Sequence, residues 1–186
     1  MGDPKRPKKK YIEGKPKRLW NTDLLMSELR LVGEYGLRNK RELWLARALL
    51  RSIKHRARQI LSAPMEVREE AEKRLKDRLF RMGLISDINM PLDAVLALDV
   101  TAILERRLQT LVYRKGLARS IHEARQLIVH GHISINGVRI RSPGYLVPRS
   151  LEDGIGLAPT SRIIKTKVTQ QASASEGGQA ANQANQ

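Results

Sequence analysis

Apolar positions recur at helical spacing from near Asn21 onward and switch to strand spacing after residue 132. Leu24, Leu25, Leu29 and Val32 share one face of a helix that starts near Asn21, and Gly33 is its stop signal. Asn39 followed three positions later by Glu42 resembles a capping box with Asn as the cap. It opens a helix predicted over 40–61. The apolar stripe of that helix is Leu43, Ala46, Leu50, Ile53, Ala57 and Ile60, with Arg47, Arg51, Lys54, Arg56 and Arg58 around it. Ser62 as cap and Pro64 in the first turn begin a third helix. It is rich in Glu early and in Lys and Arg late, as the helix dipole favours, and Gly83 closes it. A short apolar segment, 92–98, follows Pro91. Residues 20–100 thus form a unit of about four helices.

Beyond it, Asp99 or Thr101 caps one continuous helix running to Lys115, with Gly116 as the stop. Ile103, Leu104, Leu108, Leu111 and Val112 face inward, and Arg106, Arg107, Arg114 and Lys115 lie off that stripe. Ser120 to Glu123 is a second capping box, opening a helix that ends at Gly131. Ala124, Leu127 and Ile128 pack inward, which leaves His122, Arg125 and Gln126 together on the outward face. Asn136-Gly137 is the preferred dipeptide of a two-residue type I′ hairpin. With that turn, Ile135 faces Val138 and Ile133 faces Ile140 on an apolar side. Ser134 with Arg139, and His132 with Arg141, make the opposite side cationic. Tyr145–Val147 is read as a third strand and Ile155–Leu157 as a fourth. The fold class is α+β: a helical domain over 19–100, then a small αβ domain over 101–160 with two helices on a short antiparallel sheet.

Charge changes this picture most. Lys plus Arg total 35 against 19 Asp plus Glu, a formal charge of +16. A surplus of that size answers a polyanion. No apolar run approaches the ~20 residues that span a bilayer, so nucleic acid is favoured over membrane. The first 18 residues are a basic arm with eight Lys or Arg and three Pro, and no apolar segment of a signal peptide follows. Residues 161–169 extend the basic character. From 170 to 186 the chain is small and polar, and disorder is expected. With two Trp, four Tyr and one Phe, base stacking is a weaker mode than reading folded RNA by shape and phosphate. There is no cysteine. His55, His122, His130 and His132 have no carboxylate cluster to complete a metal site. No catalytic set, metal or cofactor is expected.

The candidate RNA surface is Arg106, Arg107, Lys115, Arg119, Ser120, His122, Arg125, Gln126, Arg139 and Arg141. Ser120 is placed in this set only by family resemblance, and its capping role accounts for it without RNA. Arg38, Lys40, Arg47 and Arg51 form a second patch on the helical half. Arg125 is expected to matter more to specific binding than one lysine of the arm.

Arg107-Leu108, Gly116-Leu117, Ser120, Ala124 to Ile128, His130 to Ile133, Asn136-Gly137 and Pro143 resemble the RNA-binding domain named after the fourth small-subunit ribosomal protein. That domain is also appended to pseudouridine synthases, a tyrosine-specific tRNA synthetase and ribosome-rescue proteins, so alone it implies RNA binding and no more. An adaptor subunit of an RNA-modifying enzyme and a rescue factor therefore stand as alternatives. Gly33 to Trp44 and Leu104 to Thr110 are similar to the archaeal and eukaryotic branch of the ribosomal protein itself. This resemblance, over roughly 15–160, implies a structural protein of the cytoplasmic ribosome. It implies early binding to the 5′ domain of small-subunit ribosomal RNA and a place beside the messenger-RNA entry channel, near two other small-subunit proteins. The chain departs from the pattern in lacking the zinc-binding cysteine cluster of some bacterial relatives. It also has Leu151-Glu-Asp-Gly154 where a Gly-Asp turn is usual.

Overall fold

The computed structural model describes residues 14–16, 21–159 and 161. Most of the basic arm, Trp20, and the chain from Arg162 onward, including the expected disordered tail, lie outside the described residues.

Among the described residues, seven helices and three strands follow in order: α1 Thr22–Glu34, α2 Lys40–Leu61, α3 Met65–Arg81, α4 Leu92–Ala97, α5 Val100–Glu105, α6 Leu108–Arg114, α7 Ile121–Val129, β1 Ile133–Ile135, β2 Val138–Arg139 and β3 Ile155–Leu157. A 3₁₀ turn at Arg149–Leu151 precedes β3. The α+β reading is correct.

Helix α2 organises the first core. Its cap is Asn39, whose side chain accepts from the Glu42 amide at 3.2 Å, and all six residues of its expected stripe are buried. Leu43, Leu50, Ile53 and Ile60, withdrawn from water, contribute about 2 kcal/mol each, and Ala46 and Ala57 less. Leu75 and Leu79 of α3, Val95 of α4, and Ile103 and Leu104 of α5 pack on that stripe. Helix α1 differs from expectation. Leu29 is 49 % exposed, and the residue α1 buries is Glu28, 2 % exposed. The reason is electrostatic. Glu28 accepts from Trp44 Nε1 at 3.2 Å, pairs with Arg47 and lies 3.4 Å from Lys40 Nζ. Ser62 closes α2, bonding back to the Gln59 carbonyl, and Pro64 occupies the cap position of α3. The expected Ser62 cap for α3 is therefore corrected.

The single helix expected over 99–115 is two. Arg106 and Arg107 interrupt it, and segment 143–147 is stitched into the break. The Leu108 amide donates to the Tyr145 carbonyl at 2.8 Å, and the Val147 amide donates to the Arg106 carbonyl at 3.0 Å. Those bonds replace helical ones. Tyr145–Val147 accordingly forms a bridge to this break, at Leu146 opposite Arg107, and not the expected third strand. The sheet has three strands in the order β2-β1-β3, all antiparallel.

The second core lies under α6, α7 and this sheet, with Leu108, Val112, Ala124, Ile128, Ile133 and Val147 fully buried or nearly so. The hairpin has the expected register, Ser134 opposite Arg139 and Ile135 opposite Val138. Its two faces are less distinct than the alternation implied. Ser134 is buried because β1 is the central strand, between Arg139 and Gly156, whereas Val138 on the two-residue edge strand is 68 % exposed. The turn residues have φ +49° (Asn136) and +81° (Gly137), as type I′ requires. A Cβ on Gly137 would meet nothing within 4 Å. Gly137→Val should therefore cost only the backbone term, about 1–2 kcal/mol, seen as a lower urea midpoint with unchanged slope. In the departing Leu151–Gly154 turn, the Gly154 carbonyl accepts from the Asn136 amide at 3.0 Å. This bond ties the turn to the hairpin loop and fixes β3 as Ile133 opposite Leu157.

Candidate RNA interface

The ten candidate residues divide into two groups. Arg106, Arg107 and Arg125 turn inward. Arg106 donates to Glu152 Oε2 at 2.8 Å and to the Val147 carbonyl at 2.9 Å. Its guanidinium lies so close over Gly83 that a Cβ there would be 2.7 Å from Cζ. Gly83 is thus needed twice, for its positive φ at the end of α3 and for the approach of Arg106. Arg107, 6 % exposed, donates to Glu42 Oε2 at 2.6 Å. Arg125 leaves the outward face assigned to it. It donates to Glu42 Oε1 at 2.6 Å and to Gln109 Oε1 at 3.1 Å.

These contacts form one cluster joining the N-terminal end of α2 to α6 and α7. Gln109, fully buried, donates to the carbonyls of Gly36 at 2.9 Å and Ile121 at 3.1 Å. Burial pushes the Glu42 carboxyl up, but the bond from Arg125 and the charges of Arg107 and Arg125 outweigh it and hold the carboxyl below its ordinary value. A cleft of about 420 Å³, lined by Glu42, Arg107, Arg125, Ser142, Pro143 and Gly144 among others, keeps one side of the cluster open.

Beside it, the Tyr35 hydroxyl donates to Glu105 Oε1 at 2.8 Å, and Arg114 also bonds that oxygen at 2.7 Å. Burial, and then the Glu105 bond and charge, push the Tyr35 phenol up to about 12. In a spectrophotometric titration one tyrosine should ionise near that pH and vanish in Tyr35→Phe. Glu105→Gln should bring it only part of the way back to 10, because burial is the larger cause.

Other candidates remain outward. Arg119, His122, Gln126, Arg139 and Arg141 are exposed, and their side chains have no hydrogen bond or ion pair among the described residues. Arg141 lies across the end of α7, where a Cβ on Gly131 would be 3.2 Å from its Nε. Ser120 accepts from the Glu123 amide at 3.2 Å, and Glu123 in turn accepts from the Arg119 amide at 2.6 Å. The box thus holds the backbone that displays Arg119. Lys115 is exposed and bonds the Glu152 carbonyl. In the second patch, Lys40 and Arg47 are tied to Glu28, while Arg38 and Arg51 are exposed.

Reading the residues alone missed Glu28, Gln109 and the second role of Glu42. Gln109-Thr110 did carry a signal. Two polar residues interrupt an otherwise apolar helical run, and both are buried, with Thr110 bonding the Leu104 carbonyl at 2.8 Å.

The model of the S4 domain matches residues 106–153. The chain is also 88 % identical over 183 residues to the small ribosomal subunit protein uS4 of Caldivirga maquilingensis, covering 98 % of this chain and 100 % of that one. It belongs to the uS4 family. The uS4 protein of Pyrobaculum islandicum is 64 % identical over 84 % of this chain and 99 % of its own length. That of Ignicoccus hospitalis is 56 % identical over 89 % and 98 %. Membership is therefore in the archaeal branch and extends over both cores, not over the S4 domain alone. Among the described residues no helix is long and apolar enough to cross a membrane.

Proposed function

We propose that this chain is a structural constituent of the small ribosomal subunit that binds the 5′ domain of its ribosomal RNA early in assembly. It then lies near the messenger-RNA entry channel beside other small-subunit proteins, in the cytoplasmic ribosome. The observation that carries the reading is near-full-length kinship to uS4 proteins, combined with a set of cations that the internal ion pairs leave facing solvent. Arg119, His122, Gln126, Arg139 and Arg141 meet the RNA directly, with Lys115 at their edge and Arg38 and Arg51 as a secondary contact. Arg106, Arg107, Arg125, Lys40 and Arg47 act mainly by holding the frame. Affinity comes chiefly from phosphate neutralisation and specificity from the shape of a folded junction.

The test is binding to a 5′-domain transcript against an unrelated folded RNA of equal length over a salt series. The reading expects the 5′ domain to be preferred by orders of magnitude at moderate salt. Equal affinities, both vanishing together as salt rises, would leave only a nonspecific cationic grip.

A further inference from the structure

A groove of about 820 Å³ runs between α2 and α3, on the helical half and apart from the candidate RNA residues. The spacing of α3 creates it. Val67, Ala71 and Leu75 recur every four residues and line it with an apolar row, and Ile60 of α2 and Met82 continue that row. Arg74, Arg78 and Arg81 form a parallel row on the same helix, and Arg56 stands on the opposite wall. Pro148 and Ser150, at the 3₁₀ turn, complete the lining. Val67 is 59 % exposed and Ala71 and Met82 are half-buried, while Ile60 and Leu75 form the groove floor and belong to the helical core, so the apolar surface open to solvent is that of Val67, Ala71 and Met82. Of the two kinds of charge, the negative is nearly absent. Glu70 is the one acid in the lining, and it pairs with Arg74. Arg56, Arg78 and Arg81 have no carboxylate partner among the described residues.

We propose that this groove docks an acidic, amphipathic segment of another protein. An apolar row flanked by cations matches a helix with Leu- or Ile-type residues at every third and fourth position and Asp or Glu beside them. RNA fits less well. It would satisfy the arginines but leave Val67, Ala71 and Met82 uncovered, and the lining has no aromatic ring for a base to stack on. The chain's own termini do not match in charge, since residues 1–13 are basic and 162–186 contain a single acid, Glu176. A second copy, at +16, is repelled. The proposal does not depend on which RNA the chain binds.

Fluorescence anisotropy on the full-length chain tests it. The probe is a labelled helix-forming peptide of leucine and glutamate in that pattern. One control has the same composition scrambled, and another has lysine in place of glutamate. The expected result is binding of the patterned acidic peptide about tenfold or more tighter than either control. Val67→Asp and Arg78→Glu should each remove that preference, by about tenfold, and leave 5′-domain RNA binding unchanged. Both positions are on the solvent side of the groove, so the fold should tolerate the changes, and circular dichroism checks this. Equal binding of the patterned and scrambled peptides overturns the proposal, as does binding indifferent to both substitutions. Competition by the RNA together with weaker RNA binding by Arg78→Glu would make the groove an RNA face instead. A dimer in sedimentation that Val67→Asp abolishes would make it a self-association surface.

Discussion

Replacing Glu42 by alanine should destabilise the chain by about 3 kcal/mol. That is at the low end for breaking a buried ion pair, because Glu42 and Arg125 each keep about a fifth of their side chain exposed. For a chain of this length it lowers the melting temperature by roughly 10 °C. The cause is what is left behind. Arg107 and Arg125 would both be deprived of their only carboxylate among the described residues, and Arg107 is nearly sealed from water. The acid dependence has a definite sign. The Glu42 carboxyl is held below its ordinary 4.5 in the folded chain. Its contribution is therefore full above about pH 4.5 and disappears as pH falls through the lower folded value. Glu42→Gln should flatten that part of the acid-unfolding profile. An unchanged profile, or a melting temperature within a degree or two of the parent, would show that the cluster carries little stability. Replacing Glu42, Arg107 and Arg125 together by Leu and Met should recover much of the stability.

The double substitution Arg139→Glu, Arg141→Glu should have the converse signature. Both side chains are exposed and unpaired within the described chain, so stability should stay within about 0.5 kcal/mol of the parent. Binding to the 5′-domain transcript should fall by about 100-fold at moderate salt. The slope of log K against log salt should become shallower by about one for each phosphate that the variant no longer neutralises. Arg125→Ala is the control that separates the two effects. It should lose stability first, and its RNA binding should recover at a temperature where the variant is fully folded. If Arg125→Ala instead bound weakly while folded and stable, the guanidinium would be an RNA ligand after all.

Local rules were enough wherever the chain acts locally. The six-residue stripe of α2, the Asn39 and Ser120 caps and the Asn136-Gly137 turn were all readable from spacing and residue type. Three features were not, for one physical reason: each depends on a partner far along the chain. The helix breaks at Arg106 because backbone groups from Tyr145 and Val147 replace its own hydrogen bonds. Glu28 is buried because Lys40, Trp44 and Arg47 surround it. Arg125 turns inward because Glu42, 83 positions away, draws it there. At the candidate surface, amphipathic spacing sorts side chains into inward and outward, but it treats every arginine as outward. In a chain so rich in cations, the carboxylates decide which arginines stay available, and there are few enough that each position matters.

Leu146 and Val147 are adjacent in the chain, yet Leu146 packs against the helical core and Val147 against the other. Two hydrophobic interiors are thereby pinned by one peptide unit. Excising 106–153 as a portable module would strand Leu146 in water and remove a wall from the core it left, while Ile103 and Leu104 stayed behind. Excised on its own, the 106–153 segment should therefore melt at a lower temperature than the full-length chain. Amide exchange at Leu108 and Val147 should report the same opening free energy as the centre of α2, the mark of a chain that melts as a whole.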